Sequence, residues 1–193
     1  MRVIAGSAGG IRLAVPKRRV RPTMDRVKAA IFSSLGDAII GAHMLDLFAG
    51  SGALGIEALS RGAASAVFVE DDRQTAEAIE KNLAATKLKG RVRNQNVFDF
   101  LREASSPDEF QIIFADPPYE RTKHGECDTE KLLTNEPLAR LLAPRGIFVL
   151  EKRPSEKVSE LKLWRVIRQK TYGATEVLSL EPIRSSQSRI LNR

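Results

Sequence analysis

The chain has 193 residues, 42% of them hydrophobic, and a formal charge of +7 at pH 7. That length buries one substantial core and not two ordinary domains, and the sequence holds no run of about 18 apolar residues that would cross a bilayer. No apolar leader core opens it and its one cysteine, Cys127, cannot close an internal disulfide, so a soluble, cytoplasmic protein is expected.

The charge is localised. Residues 1–28 hold eight bases against one acid, Asp25, while the remaining 165 residues balance 23 bases with 23 acids. A basic cluster confined to one end is the footprint of phosphate-backbone binding, although a solvated basic arm has the same composition. Arg2 to Ala5 and Ile11 to Val15 alternate apolar and polar around Gly6-Ser7-Ala8-Gly9-Gly10, which predicts a small hairpin or extended pair. Thr23 reads as the N-cap of a helix over Met24 to Leu35, with Val27, Ile31 and Leu35 on one face and Gly36 as its stop.

From residue 43 the chain alternates strands with helices. Strands are expected over His43 to Phe48, Ala66 to Glu70, Arg91 to Asn96, Gln111 to Ala115 and Gly146 to Glu151. Helices are expected over Ala53 to Arg61, Arg73 to Thr86, Val97 to Ala104 and Glu130 to Leu142. This βαβ rhythm implies an α/β fold built on a mostly parallel sheet. The rhythm then breaks: Trp164 to Tyr172 and Thr175 to Leu180 are separated only by Gly173-Ala174, which reads as a terminal antiparallel hairpin. The seven-stranded sheet so formed ends as class I methyltransferase sheets do, and not as a dinucleotide-binding sheet does.

Asp46-Leu47-Phe48-Ala49-Gly50-Ser51-Gly52-Ala53-Leu54-Gly55 spans the first strand-to-helix junction, where a nucleotide cofactor sits in such folds. Gly50 and Gly52 allow close backbone approach, and Gly55 lets the helix pack on the strand. The three glycines alone suit a nicotinamide enzyme equally well. Asp46 decides between them: a carboxylate there is poorly placed for an anionic pyrophosphate but complements the ammonium and sulfonium of S-adenosylmethionine. Glu70, ending the second strand and followed by Asp71, is placed to accept from ribose hydroxyls. Asn96 and Val97, at the end of the third strand, are candidates to read the adenine, and Phe48 completes the expected cofactor set.

Asp116-Pro117-Pro118-Tyr119 follows the apolar fourth strand. An exocyclic amine on a base is a poor nucleophile because its lone pair is delocalised into the ring. Asp116 and the carbonyl of Pro117 can each accept one N–H, with Pro118 fixing the backbone that aims them, and Tyr119 offers a face for a base removed from its stack. Elsewhere in a chain this tetrapeptide reads as an ordinary turn; at a strand end opposite the glycine loop it reads as a catalytic site. His124 and Cys127 match no metal-ligand spacing, so no metal is expected, and the loop from Glu120 to Asp128 reads as a flap. Trp164 reads as core, and Tyr172-Gly173 as a turn bordering the substrate edge.

Four stretches together resemble the bacterial 16S rRNA guanine-N2 methyltransferases of the RsmD type, across nearly the whole chain. They are Arg2 to Gly6, Arg21-Pro22-Thr23-Met24-Asp25-Arg26-Val27, Asp46 to Gly55 with Glu57 to Ala63, and Asp116 to Tyr119. Lys28-Ala29 and Ser33 depart from the family's usual Arg-Glu and Asn. The resemblance implies methylation of one guanine of 16S rRNA within an assembling small ribosomal subunit. It places the cofactor at Asp46, Gly50, Gly52, Glu70 and the neighbourhood of Asn96, and the chemistry at Asp116 to Tyr119. Residues 1–36 are then an RNA-contacting extension, with Arg12, Lys17, Arg18, Arg19, Arg21, Thr23 and Arg26 as candidate contacts. Residues 37–184 are the methyltransferase core and 185–193 a flexible tail, all within one structural domain of a monomer. A DNA adenine-N6 or cytosine-N4 methyltransferase shares both motifs, but the segment after Tyr119 is too short for a sequence-reading domain. A non-catalytic RNA-binding assembly factor would not require Asp116 and Gly50.

Overall fold

Residues 1–15, 24–104, 106–107, 109–118, 127–156, 158 and 161–184 are described by the computed structural model. Seven strands, β1 (His43–Leu47), β2 (Ser65–Glu70), β3 (Arg91–Asn94), β4 (Phe110–Ala115), β5 (Leu142–Lys152), β6 (Trp164–Tyr172) and β7 (Thr175–Pro182), form one sheet. Their order is β3-β2-β1-β4-β5-β7-β6. The first five run parallel, while β7 is antiparallel to both β5 and β6, so the terminal hairpin lies where the sequence puts it.

Alternation along each strand sends side chains to two faces. Met44, Ile112 and Phe114 enter one cluster with α1 (Met24–Leu35), α2 (Ala53–Ser60) and α3 (Arg73–Thr86). Leu45, Leu47, Ile113 and Ala115 enter the other with α4 (Val97–Glu103), α5 (Asp128–Leu133) and α6 (Glu136–Leu141). Trp164 is fully buried in that second cluster, its indole N–H donating to the Leu133 carbonyl at 3.0 Å.

One local expectation is corrected and a second is extended. The helix expected over Glu130 to Leu142 is two helices, α5 and α6, because Asn135 accepts from the Leu138 amide and Pro137 sits in the first turn of the second, both helix-start signals. The N-terminal segment forms the expected small antiparallel pair: besides a bridge between Arg2 and Arg12, the Val3 amide donates to the Ile11 carbonyl at 2.9 Å, the Gly10 amide to the Val3 carbonyl at 2.8 Å and the Leu13 amide to the Met1 carbonyl at 3.1 Å. Other backbone amides of that segment donate to side chains of α2 and α3. The Ile4 and Ala5 amides donate to Glu57 at 2.7 and 3.1 Å, the Ala8 amide to Ser60 Oγ at 2.9 Å, and the Ala14 amide to Asn82 at 2.8 Å. Val3, Ala8 and Leu13 join the first core cluster. Gly36 stops α1 with a φ of 52°, which a non-glycine residue rarely adopts,. Thr23, the expected N-cap of α1, lies outside the described residues.

Candidate active site

Strand register gathers the expected residues. Leu47 is level with Val69 and Ala115, and Glu70 with Asn94. The carboxyl ends of β1 to β4 therefore bring Phe48, Glu70, Asn94 and Asp116 to one edge of the sheet, the edge where open α/β sheets bind ligands.

The glycine loop is built with little free space. Gly50 and Gly52 have φ of 56° and 75°, and Phe48 adopts a φ of 55° despite its side chain. A Cβ on Gly55 would lie 2.3 Å from Phe68 Cε1, so α2 rests directly on β2 and only glycine fits. The Glu70 carboxylate accepts from the Gly50 amide at 2.8 Å and from the Asp72 amide at 3.1 Å, fastening the loop to the end of β2. Asn94 Nδ2 donates to the carbonyls of Glu70 and Asp71 at 3.0 and 2.9 Å, fastening β2 in turn to β3. Asp72, and not Glu70, caps α3 through Thr75, which leaves Glu70 facing the loop.

Asp46 is buried on β1 and accepts from the Gly55 amide at 2.9 Å. Burial pushes its carboxyl up to about 8, against the lowering effect of that amide, and the negative charges of Asp116 and Glu70 add to the rise. Three carboxylates thus share one electrostatic neighbourhood. Such a donor set repels an anion and is relieved by a cation, so the residues present fit a ligand carrying ammonium or sulfonium charge.

Asp116 is half-buried, Pro117 buried and Pro118 exposed; Tyr119 lies outside the described residues. Val97 is buried. The Asn96 side-chain oxygen caps α4, accepting from the Phe98 amide at 2.9 Å, so the expectation that Asn96 reads adenine is narrowed to its remaining side-chain N–H groups. Asp71 is exposed. Of the expected nucleic-acid contacts, Arg12 and Arg26 are exposed, whereas Lys17, Arg18, Arg19, Arg21 and Thr23 lie outside the described residues. Cys127 is half-buried at the start of α5.

Several supporting residues escaped the sequence reading. Glu57 is fully buried and pairs with Lys28 at 3.1 Å and Arg61 at 2.8 Å. Burial opposes its ionisation, but the Ile4 amide and both cations outweigh that and hold its carboxyl below the ordinary value. Lys28, one of the eight N-terminal bases, is therefore a core residue and not a free phosphate contact. Asn82 Nδ2 donates to the carbonyls of Ser51 and Ala14, each at 2.9 Å, linking the glycine loop to the N-terminal segment. The available signal was an ionisable or amide residue isolated on a helix face that is otherwise apolar, as Glu57 is within Ala53–Ser60. Phe98 meets Phe48 edge-on with ring centroids 6.2 Å apart, adding a second aromatic wall beside the loop.

Residues 1–181 match the family described as "Conserved hypothetical protein 95". The "Ribosomal RNA small subunit methyltransferase D" of Escherichia coli is 46% identical over 123 residues, an alignment covering 63% of this chain and 61% of that protein. The chain thus spans about three-fifths of that relative's length. A solved structure described as a putative methyltransferase from Escherichia coli superimposes with a TM-score of 0.77 at 36% identity, covering 94% of this chain and 97% of the other. The 16S rRNA N2 G1207 methyltransferase of Thermus thermophilus, solved with AdoMet and guanosine, superimposes with a TM-score of 0.68 at 27% identity, covering 86% and 44% of the two chains. Matched by the family model over residues 1–181, the chain belongs to this family, the RsmD type of ribosomal RNA methyltransferases.

Proposed function

We propose that the protein transfers a methyl group from S-adenosylmethionine to the exocyclic N2 amine of a guanine in 16S rRNA, acting as a cytoplasmic monomer on an assembling small ribosomal subunit. The observation that carries the reaction class is the placement of Asp116 on the same sheet edge as the buried Asp46, Glu70 and the glycine loop. The guanine and subunit specificity is supported by the names of the relatives above. S-adenosylmethionine supplies an electrophilic methyl on a sulfonium.

Asp46 and Glu70 hold the donor: Asp46 complements its positive charge, and Glu70, braced by the Gly50 amide, accepts from the ribose hydroxyls. The Asp116 carboxylate accepts one N–H of the target amine and the Pro117 carbonyl the other, which turns the nitrogen lone pair toward the methyl carbon. As the N–C bond forms, the carbon–sulfur electron pair stays with sulfur and the nitrogen becomes cationic. The excess proton then leaves along the N–H already held by Asp116, so no strong base is needed. Phe48 offers an aromatic face beside the cofactor loop, and Tyr119 is the residue proposed to stack on the base.

The test separates the two carboxylates. Asp116→Ala is expected to lower transfer on the order of 10²–10³-fold, the range for a positioned group facing developing charge, while calorimetric cofactor affinity stays near that of the unaltered protein. Asp46→Ala is expected to lose cofactor affinity first. Equal loss of cofactor binding in both variants would contradict this division of roles.

A further inference from the structure

The outer strand β6 carries a second basic surface, separate from the N-terminal cluster. Its residues are exposed between Arg165 and Thr171. Charge on an edge strand ordinarily blocks edge-to-edge pairing, and Arg165 serves that end in an ion pair with Glu181. Arg168 and Lys170 are different. With Tyr172 they line a shallow cleft against α1, whose side is formed by Ala30 and Ser34, and among the described residues no carboxylate lines it.

Both cations are pre-positioned. Arg168 Nη1 donates to Ser34 Oγ at 2.8 Å, and the Lys170 ammonium lies 5.6 Å from the centroid of the Tyr172 ring. Arg26 is exposed and falls on the same helical stripe as Ala30 and Ser34, at successive spacings of four residues,. From Ser34 to Arg26 the helix covers roughly 12 Å at 1.5 Å per residue, and from Arg168 to Tyr172 the strand covers about 13 Å. The track therefore has length and direction. Tyr172 pairs with Thr175, Glu176 with Lys152, and Leu150 with Ala115, so the cleft runs out at the sheet edge that bears Asp116, three strands or about 14 Å away.

We propose that this cleft is a phosphate-binding track for single-stranded RNA flanking the target base, with Arg168 and Lys170 each engaging one backbone phosphate and Arg26 extending the track to the site edge. The assignment rests on the RNA substrate proposed above. Two cations at alternate positions of one strand, about 6.6 Å apart along it, suit successive phosphates of a nucleic-acid strand and not a neutral or basic partner.

The test is equilibrium binding of a single-stranded RNA oligonucleotide over a salt series, together with steady-state methyl transfer to small subunits, for the unaltered protein and the double variant Arg168→Gln, Lys170→Gln. The log–log salt slope is expected to shrink by about 1.4, at roughly 0.7 per phosphate. KM for subunits is expected to rise on the order of tenfold with kcat at saturation unchanged. Arg165→Gln, on the same strand but outside the cleft, is expected to leave both unchanged. An unaltered salt slope with unaltered KM would overturn the proposal. Weaker subunit binding with an unaltered oligonucleotide slope would also overturn it, assigning the surface to a protein partner. Should the unaltered protein methylate no RNA while the slope still shrinks in the variant, the cleft stands and the substrate reading fails.

Discussion

Asp46 is a carboxyl whose ordinary value is 3.8 but which burial raises to about 8 in the folded chain. Between those two values the folded protein keeps a proton that the unfolded chain has released. Stability contributed by this group is therefore present at low pH and falls as pH rises through that window, at a limiting slope of about 1.4 kcal/mol per pH unit. Thermal melts of the cofactor-free protein between about pH 5 and pH 8 are expected to show Asp46→Asn gaining stability relative to the unaltered chain as pH increases. Parallel melting curves would mean that Asp46 is ionised in the empty site. At the same scale, the sequence located Asp46, Glu70 and Asp116 correctly along the strands, because position in a βα unit follows from pattern alone. It did not disclose that Asp46 also holds the Gly55 amide, since enclosure depends on what α2 covers.

Among elements, α2 bears the heaviest coupling, joining the glycine loop to the N-terminal segment through Glu57, Ser60 and the amides they hold. Removing one partner of a buried charge network leaves the others uncompensated, and Glu57→Ala is expected to cost about 3–5 kcal/mol. Denaturant unfolding measures this, with Arg61→Ala expected to cost less because Arg61 is partly exposed and Lys28 remains to pair. A loss under about 1 kcal/mol for Glu57→Ala would show that the network contributes little. Gly55→Ala is expected to destabilise by about 1–3 kcal/mol through overpacking against Phe68, and Phe68→Leu in that background should recover part of it. The one helix misjudged from sequence has a local cause. Apolar spacing carries through Thr134 and Asn135, so α5 and α6 read as one helix until Asn135 and Pro137 are weighed as a new start. The N-terminal pair was legible from its own alternation, but its anchors Glu57, Ser60 and Asn82 were not, because they lie some fifty to seventy residues away.

At the scale of the whole molecule, the mostly parallel sheet and its terminal antiparallel hairpin were legible because each rests on local signals, the βαβ rhythm and the two-residue turn at Gly173-Ala174; the strand order was not. The cleft between α1 and β6 was not, because it joins segments far apart in the chain and only the sheet order brings them together. The same architecture divides labour by face and edge: two apolar faces stabilise the fold, and the carboxyl edge gathers the residues of the proposed chemistry. Among the described residues no helix is long and apolar enough to cross a membrane. The measurement that tests the account most directly is transfer of a labelled methyl group to undermethylated small ribosomal subunits, with naked 16S rRNA and duplex DNA in parallel and nucleoside analysis of the product. The account predicts N2-methylguanosine from subunits and none from DNA. Label recovered in DNA, or on a nucleoside other than N2-methylguanosine, would contradict it.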